Sequence, residues 1–224
     1  MKSSNGREAL LRDCLLQLDI DLSDEQIDKL LRYVAEIELF NPVYKLVGAS
    51  GDDLIIRHVV DSLAAYHQFT TLIKARPAAT FCDVGSGAGL PGIPLAIVFP
   101  DNHFTLVERM GRRVGFLENE LVLLGLRGHV EIFPHDLKQL KSRFDIVTFR
   151  AFHPLVAILD DIDAITDENS VVCAYKGKAD TLDQELHDID LKCAGKWNCS
   201  VEKLSVPYLE AERRLCVLTK QKLH

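Results

Sequence analysis

The stretch TFCDVGSGAGLPG, residues 80–92, decides the fold of this chain. Its first five residues are mainly apolar or β-branched and predict a buried strand that contains one acid, Asp83. Three glycines then alternate with small residues, and Pro91 and Pro94 open an apolar helix, since proline is tolerated in a first helical turn. A strand, a glycine turn and a helix in this order predict a ligand site at the carboxyl end of a strand in a doubly wound sheet.

Downstream of this unit, short β-prone runs alternate with amphipathic stretches such as 114–124. The runs lie at 104–107, 130–133, 144–149 and 170–174. This alternation predicts an α/β protein built from right-handed βαβ units, with a mostly parallel sheet and helices on both of its faces. Two final runs, 201–206 and 214–219, predict an antiparallel hairpin that closes one edge of the sheet.

The residues before the first strand have a helical pattern. A capping box at 23–26 opens a run of apolar residues at helical spacing, and Asn41-Pro42 is predicted to end that helix. A second helix is predicted over about 51–75. We therefore predict an N-terminal helical cap over residues 1–76 and a ligand-binding domain over residues 77–224, together forming one structural unit.

The composition excludes several classes of protein. The chain has 224 residues, 47% of them hydrophobic, but no run near the ~20 apolar residues of a membrane span. Its charged N-terminus predicts no secretory signal, and its six cysteines have neither CxxC nor zinc-ligand spacing. We therefore expect a cytosolic protein with free thiols, no bound metal and no membrane association, and nothing in the sequence requires more than a monomer.

The charge of the chain gives a weaker signal. A net charge of -7 argues against a protein that coats nucleic acid non-specifically. Basic residues are nevertheless concentrated in the window 109–150, while acidic residues gather towards the two ends. This asymmetry is compatible with a polyanionic partner and equally with an ordinary mixed surface.

Two cofactor classes use a glycine turn of this kind. Gly87, Gly89 and Gly92 have the G-x-G-x-x-G spacing of dinucleotide binders, but Gly87 comes too late after the strand. The carboxylate of Asp83 would repel the pyrophosphate of NAD and attract the sulfonium and ammonium groups of S-adenosylmethionine. Glu108, at the end of the next strand, is expected to accept hydrogen bonds from ribose hydroxyls, which both cofactor classes carry.

The run DVGSGAGLPGIPLAI, residues 83–97, resembles the bacterial small-subunit ribosomal RNA guanine-N7 methyltransferases, also called glucose-inhibited division protein B. The segment LPGIP directly after the glycines is the specific part of this resemblance. Other motifs of the family follow its order, and the similarity extends over roughly residues 30–220. These motifs are RHVVDS at 57–62, RAF at 150–152, KG at 176–177 and ERRL at 212–215.

The resemblance implies a Rossmann-like class I methyltransferase fold with an N-terminal helical cap. It also implies S-adenosylmethionine as methyl donor and N7 of one guanine in 16S rRNA as acceptor, with the RNA free, in a precursor particle or in the small ribosomal subunit. The implied cofactor contacts are Gly85, Leu90, His135, Asp136 and Arg150. The glycine pattern and the charge argument add Gly87, Gly89, Asp83 and Glu108.

Guanine N7 carries a free lone pair, so its methylation needs no general base. Catalysis is then mainly in-line positioning and exclusion of water. RNA is expected to contact basic side chains around the cleft. The candidates are Arg57, Arg112, Arg113, Lys176, Arg213 and Arg214. Without the resemblance, His58 and Asp61 are interpreted as structural residues at positions i and i+3 of one helix, where they could bond each other.

Two positions depart from the family pattern. Lys45 stands where the family usually has a second Asn in the motif 41–46, so a role of this motif in the family does not carry over directly to this chain. Phe149 replaces a Ser before Arg150, with an expected effect on packing near the cofactor.

Three other functions remain open on the sequence alone. The chain could be a methyltransferase for a small molecule or a protein, which suits its acidic composition. It could be an NAD(P)-dependent oxidoreductase, which Asp83 disfavours. It could also be a non-catalytic RNA-binding or ribosome-assembly module with a vestigial cofactor site, although its glycines are intact.

We predict that the purified protein binds S-adenosylmethionine and not NAD, and that Asp83→Ala weakens this binding. The reason is the opposite charge of the groups that the two cofactors bring to the turn. Calorimetric titration of both ligands into both proteins measures the difference. Binding of NAD, or of neither ligand, would contradict the assignment of the cofactor class.

Overall fold

The computed structural model describes residues 4–150, 154–177, 179–193 and 195–221. Within these residues, seven strands form one sheet in the order β3-β2-β1-β4-β5-β7-β6. The strands are β1 Thr80–Val84, β2 His103–Val107, β3 Val130–Phe133, β4 Ile146–Arg150, β5 Val171–Lys176, β6 Trp197–Leu204 and β7 Arg213–Lys220. The first five strands pair in parallel, and β7 runs antiparallel between β5 and β6. The predicted mostly parallel sheet and its edge hairpin are therefore confirmed.

Helices cover both faces of this sheet. They are α1 Ser4–Gln17, α2 Asp24–Tyr44, α3 Asp52–Leu54, α4 Asp61–Leu63, α5 Tyr66–Ala75, α6 Gly92–Val98, α7 Gly111–Leu123, α8 Leu155–Ala164 and α9 Ala179–Cys193. A π-helical segment, Ile55–Val60, joins α3 to α4, and a 3-10 turn, Leu137–Gln139, follows β3. The second predicted helix therefore exists, but a π-helical segment and a break before α5 divide it. Within the described residues, no helix has both the length and the apolar character needed to cross a membrane.

The two faces of the sheet bury two separate hydrophobic clusters. Along β1, Phe81 packs into the cluster beneath α6, α7 and the cap, while Cys82 and Val84 pack into the cluster beneath α8 and α9. Phe81 stacks on Phe104 of β2 with ring centroids 4.4 Å apart. Because both faces are covered, the central strands have continuous apolar runs rather than an alternating pattern.

The N-terminal helices pack directly on the sheet and on the glycine turn. Their buried side chains belong to the same cluster as Phe81. The buried hydroxyl of Tyr33 in α2 donates to the carbonyl of Ala88 at 2.6 Å, and Tyr175 of β5 donates to the carbonyl of Ser62 at 2.6 Å. Cap and sheet are thus joined by apolar contacts and by hydrogen bonds, while the division of the chain at residue 76 stays a prediction.

The end of α2 differs from the prediction. The helix continues past Pro42 to Tyr44, and Lys45 caps it with φ 50° and ψ 52°, in the left-handed region. Its N–H donates to the carbonyl of Asn41 at 2.9 Å, so Pro42 lies in the last turn and the helix loses only the one N–H that proline lacks. The Asn41 side chain then bonds both backbone groups of Val47, at 2.9 and 3.0 Å, and fixes the loop that follows.

Lys45→Asn is expected to stabilise the protein by roughly 0.5–1 kcal/mol, because asparagine tolerates the left-handed conformation better than lysine does. Urea denaturation of native protein and variant measures the change in free energy of unfolding. Lys45→Ala is the control, since it removes the same charge without that tolerance. Equal stabilisation by both variants would assign the gain to the lost charge instead.

Candidate functional site

The glycine turn after β1 separates two clefts at the carboxyl ends of the strands. Gly85, Gly87 and Gly89 have φ values of 69°, 61° and 92°, a region that side chains with a Cβ rarely occupy. The N–H of Ser86 donates to the carbonyl of Val107 at 3.0 Å and ties the turn to β2. The glycines are therefore needed for the backbone path of the turn.

Asp83 lies beneath the turn and not in either cleft. Its carboxylate is fully buried, and Oδ2 accepts hydrogen bonds from the hydroxyl of Ser86 and from the N–H of Gly92, the latter at 3.0 Å. Burial raises the pKa of this carboxyl from its usual value to about 6. Asp83 can therefore affect a ligand only indirectly, by holding the glycine turn in place. The sequence led us to expect a direct attraction between this carboxylate and the ligand.

Gly92 is required for close packing over this carboxylate. A Cβ at this position would lie 2.6 Å from Asp83 Oδ2 and 2.4 Å from Leu106 Cδ2. Both distances are below any normal contact, so a side chain here would displace the carboxylate or the core of β2. Gly92, the third glycine of the dinucleotide spacing, therefore allows α6 to begin directly over the Asp83 carboxylate.

The first cleft, of about 550 Å³, lies between the glycine turn and the ends of β2 and β3. Glu108 lines it and is 5% exposed; Oε2 accepts from the N–H of Gly87 at 3.0 Å and Oε1 from the N–H of Met110 at 2.8 Å. His135 and Asp136 line the same cleft after β3. The structure therefore brings these three predicted residues together with Gly85.

The second cleft, of about 570 Å³, lies on the other side of the turn, where cap and sheet meet. Gly85 and Arg113 line both clefts, so the two spaces adjoin. Leu90 and the unpredicted pair Leu46 and Val47 supply apolar lining. Among the described residues, its cationic lining consists of Arg57, Arg113, Arg150, Lys176 and Arg213, against one carboxylate, Asp61.

The Asp61 carboxylate joins two of these cations. Oδ2 accepts from Nη1 of Arg150 at 2.9 Å, and Oδ1 accepts from Nε of Arg213 at 2.9 Å. His58 accepts through Nδ1 from Nη2 of Arg150, with 3.2 Å between the nitrogens. A guanidinium has only donors, so the proton of neutral His58 lies on Nε2. The sequence interpretation that His58 and Asp61 bond each other is therefore wrong, because each bonds Arg150 instead.

His58 stays neutral near physiological pH. Burial and the nearby Arg150 lower the pKa of its imidazole to about 4. Its Nε2 is buried and has no partner among the described residues. Both His58 and Arg57 lie in the π-helical segment Ile55–Val60, a type of irregularity that is frequent at functional sites.

The RNA-binding candidates that line the second cleft are already partly paired. Arg57 is exposed and bonds Asp53 at 3.1 Å. Lys176 Nζ bonds Glu185 at 2.6 Å, and its side chain is largely buried. The charge of Lys176 is therefore largely neutralised, which weakens its case as a contact for RNA.

Two other candidates lie outside both clefts. Arg214 follows Arg213 on β7, so it points to the opposite face of the sheet and bonds Glu212 at 3.4 Å. Arg112 is exposed near the start of α7 and does not line either cleft. By contrast, Arg113 lies 3.6 Å from Glu108 where the clefts adjoin.

Phe149, which departs from the family pattern, lies directly before Arg150 at the end of β4. Phe149 is buried in the cluster beneath α8 and α9, so it packs away from the second cleft. Its effect is therefore on the core and not on the lining of a cleft. The residues Ala151 and Phe152 of the RAF motif lie outside the described part of the chain.

Within the described residues, no cluster of three His, Cys, Asp or Glu side chains could hold a metal ion.

The fold is that of the Rossmann-like methyltransferases. A human methyltransferase 10 domain containing protein superposes with a TM-score of 0.58 over 84% of this chain and 97% of that chain, at 12% sequence identity. A putative methyltransferase from Thermoplasma acidophilum has a TM-score of 0.53, at 16% identity, over 66% of this chain and 70% of its own. At these identities the likeness shows the fold alone.

The sequence identifies the family within this class. The chain belongs to the family described as rRNA small subunit methyltransferase G, whose profile matches residues 26–216. It is 32% identical over 214 residues to the ribosomal RNA small subunit methyltransferase G of Francisella philomiragia subsp. philomiragia, covering 94% of this chain and 97% of that protein. The predicted family and enzyme class, an rRNA methyltransferase, are therefore confirmed.

Gly92→Ala is expected to lower the free energy of unfolding by about 1–3 kcal/mol, because the new methyl group overlaps Asp83 and Leu106. Denaturant unfolding measures the loss. Gly111→Ala is the matched control: Gly111 also begins a helix, but a Cβ there would meet nothing within 4 Å. Equal stability of the two variants would show that Asp83 and α6 do not require the glycine.

Proposed function

We propose that this chain transfers a methyl group from S-adenosylmethionine to N7 of a guanine in 16S rRNA, in the small ribosomal subunit or its precursor. The observation that carries the proposal is the glycine turn between two unlike clefts. The first cleft has the oriented carboxylate of Glu108 among lining residues of both charges, whereas the described lining of the second cleft is mainly cationic. The first cleft suits the nucleoside part of the cofactor, and the second suits a polyanion such as RNA. Both ligands agree with the membership of the chain in an rRNA methyltransferase family.

The residues of the first cleft fit the nucleoside part of the cofactor. Two backbone N–H groups orient the buried carboxylate of Glu108, which leaves lone pairs for the two hydroxyls of a ribose. Asp136 accepts from the N–H of Lys138 at 3.2 Å and lies where an adenine amino group could donate. The volume of about 550 Å³ is within the usual range for small-molecule sites.

The remaining contacts would come from the turn and from the second cleft. Gly85 exposes backbone beside both spaces, and Gly87 and Leu90 line the second cleft. Arg150 could meet the carboxylate of the cofactor, although it already donates to Asp61 and His58. When bound, S-adenosylmethionine supplies an electrophilic methyl group on its sulfonium.

The described residues of the second cleft suit a reaction that needs no general base. Asp61 is committed to two guanidinium groups, and the Nδ1 lone pair of His58 is occupied by Arg150. Guanine N7 attacks through its own lone pair, so the side chains have to orient the base and exclude water. The cations of the cleft would hold the phosphates that flank the target guanine.

The proposed function predicts incorporation of methyl groups into small subunits, or into 16S rRNA, from cells that lack this modification. The expected product is 7-methylguanine at a single site, since the family resemblance implies one target guanine in 16S rRNA. Labelled S-adenosylmethionine measures the incorporation, and chemical cleavage at 7-methylguanine followed by primer extension maps the site. Methylation of another atom, or of protein alone, would contradict the proposal.

Glu108→Gln tests the cofactor site within the same assay. Loss of the charge that orients the ribose is expected to raise the KM for S-adenosylmethionine about tenfold, the effect of one charge-assisted hydrogen bond. Glu118→Gln, an exposed position on α7, is the control and should leave the KM unchanged. A KM for Glu108→Gln equal to that of the native enzyme would show that Glu108 does not bind the cofactor.

A further inference from the structure

One buried carboxylate has no role in the function proposed above. Asp61, at the start of α4, is 2% exposed, and no other carboxylate belongs to the described residues that line the second cleft. Burial of a charge is costly unless the group is paired. Its position therefore depends on the cations that surround it.

The two oxygens of Asp61 connect strands that lie on either side of β5. Arg150 ends β4 and Arg213 begins β7, and each donates to a different oxygen at 2.9 Å. Hydrogen bonds between charged groups at this length are strong and directional. A carboxylate of the cap thus fixes two cations of the sheet relative to each other.

The two guanidinium groups differ in the donors that remain. Arg150 also donates to the carbonyls of Arg57 and His58, at 3.4 and 3.5 Å, and to the His58 ring, so most of its donors are committed to the cap. Arg213 donates Nη1 to the carbonyl of Glu212 at 3.0 Å, and its Nη2 has no partner among the described residues. Arg213, with 24% of its side chain exposed, therefore offers uncommitted N–H groups to the cleft that it lines.

We infer that Asp61 is a positioning residue for RNA, which holds Arg213 through Nε and thereby aims its remaining N–H groups at a phosphate. This inference rests on the proposed function. One carboxylate, two guanidinium groups and a neutral His58 leave a net positive charge, which suits a phosphate. The planar fork of arginine binds phosphate best when its orientation is set in advance.

The direction in which one substitution changes the affinity for RNA distinguishes this positioning role from simple electrostatic attraction. Removal of an acid from a cleft that binds RNA increases the attraction for phosphates. Loss of the bond that aims Arg213 has the opposite effect. Asp61→Asn is therefore expected to weaken RNA binding about tenfold, although it makes the cleft more positive.

Filter binding of a 16S rRNA transcript at one fixed salt concentration measures this effect. Asp53→Asn is the matched control, since it removes the same charge from the exposed pair with Arg57 and should leave the affinity unchanged or increased. Affinity for RNA that is equal or higher in Asp61→Asn would overturn the inference.

A second variant keeps the test valid if Asp61→Asn does not fold. Arg213→Lys keeps the charge but loses the fork, and about tenfold weaker RNA binding is expected. In an Arg213→Gln background, Asp61→Asn should cause no further weakening, because Asp61 acts through Arg213. Native affinity in Arg213→Lys, or additive weakening in the double variant, would overturn the inference.

The same variants distinguish failure of the inference from failure of the proposed function. If the expected order of RNA affinities is found but the native protein forms no 7-methylguanine, the inference is supported and the proposed function is contradicted. If the native protein methylates N7 and all variants bind RNA equally, only the inference fails.

Discussion

The hydrogen bonds from Ser86 and Gly92 to the buried Asp83 carboxylate hold the turn on which both clefts depend. A buried carboxylate is stable only when donors replace the water that it has lost. Here the donors are a side chain of the turn and the first N–H of α6, so the bond network fixes strand, turn and helix together. The raised pKa of Asp83 reflects the cost of burial that these two bonds offset only in part.

Other elements hold the same turn from outside. Tyr33 binds the carbonyl of Ala88 from the cap, and Glu108 binds the N–H of Gly87 from the end of β2. Glu108 therefore supports the turn and lines the first cleft with the same carboxylate. Through Tyr33 the cap is in direct contact with the turn that separates the two clefts.

The second cleft belongs to neither part of the chain alone. The cap supplies His58 and Asp61, and the sheet supplies Arg150 and Arg213. A protein with a net charge of -7 thus has a cationic cleft, because its acidic residues lie mostly elsewhere. Its local charge, and not the total, is the quantity that an RNA phosphate would meet.

The sequence by itself determined the sheet, the glycine turn and the family. These depend on short-range patterns: a buried strand, glycines at positions with positive φ and a helix opened by proline. The residues Glu108, His135 and Asp136 could also be placed together, because the ends of neighbouring parallel strands meet at one edge of the sheet.

Only the tertiary structure decided the bonding partners of Asp83, His58, Asp61 and Lys176. Helical spacing placed His58 beside Asp61, but long-range contacts with Arg150 and Arg213 set their actual partners. Nothing near Lys176 in the sequence indicates its ion pair with Glu185 on α9. Side-chain partners that are distant in the chain depend on how cap, sheet and helices pack, and a local pattern carries no information about that packing.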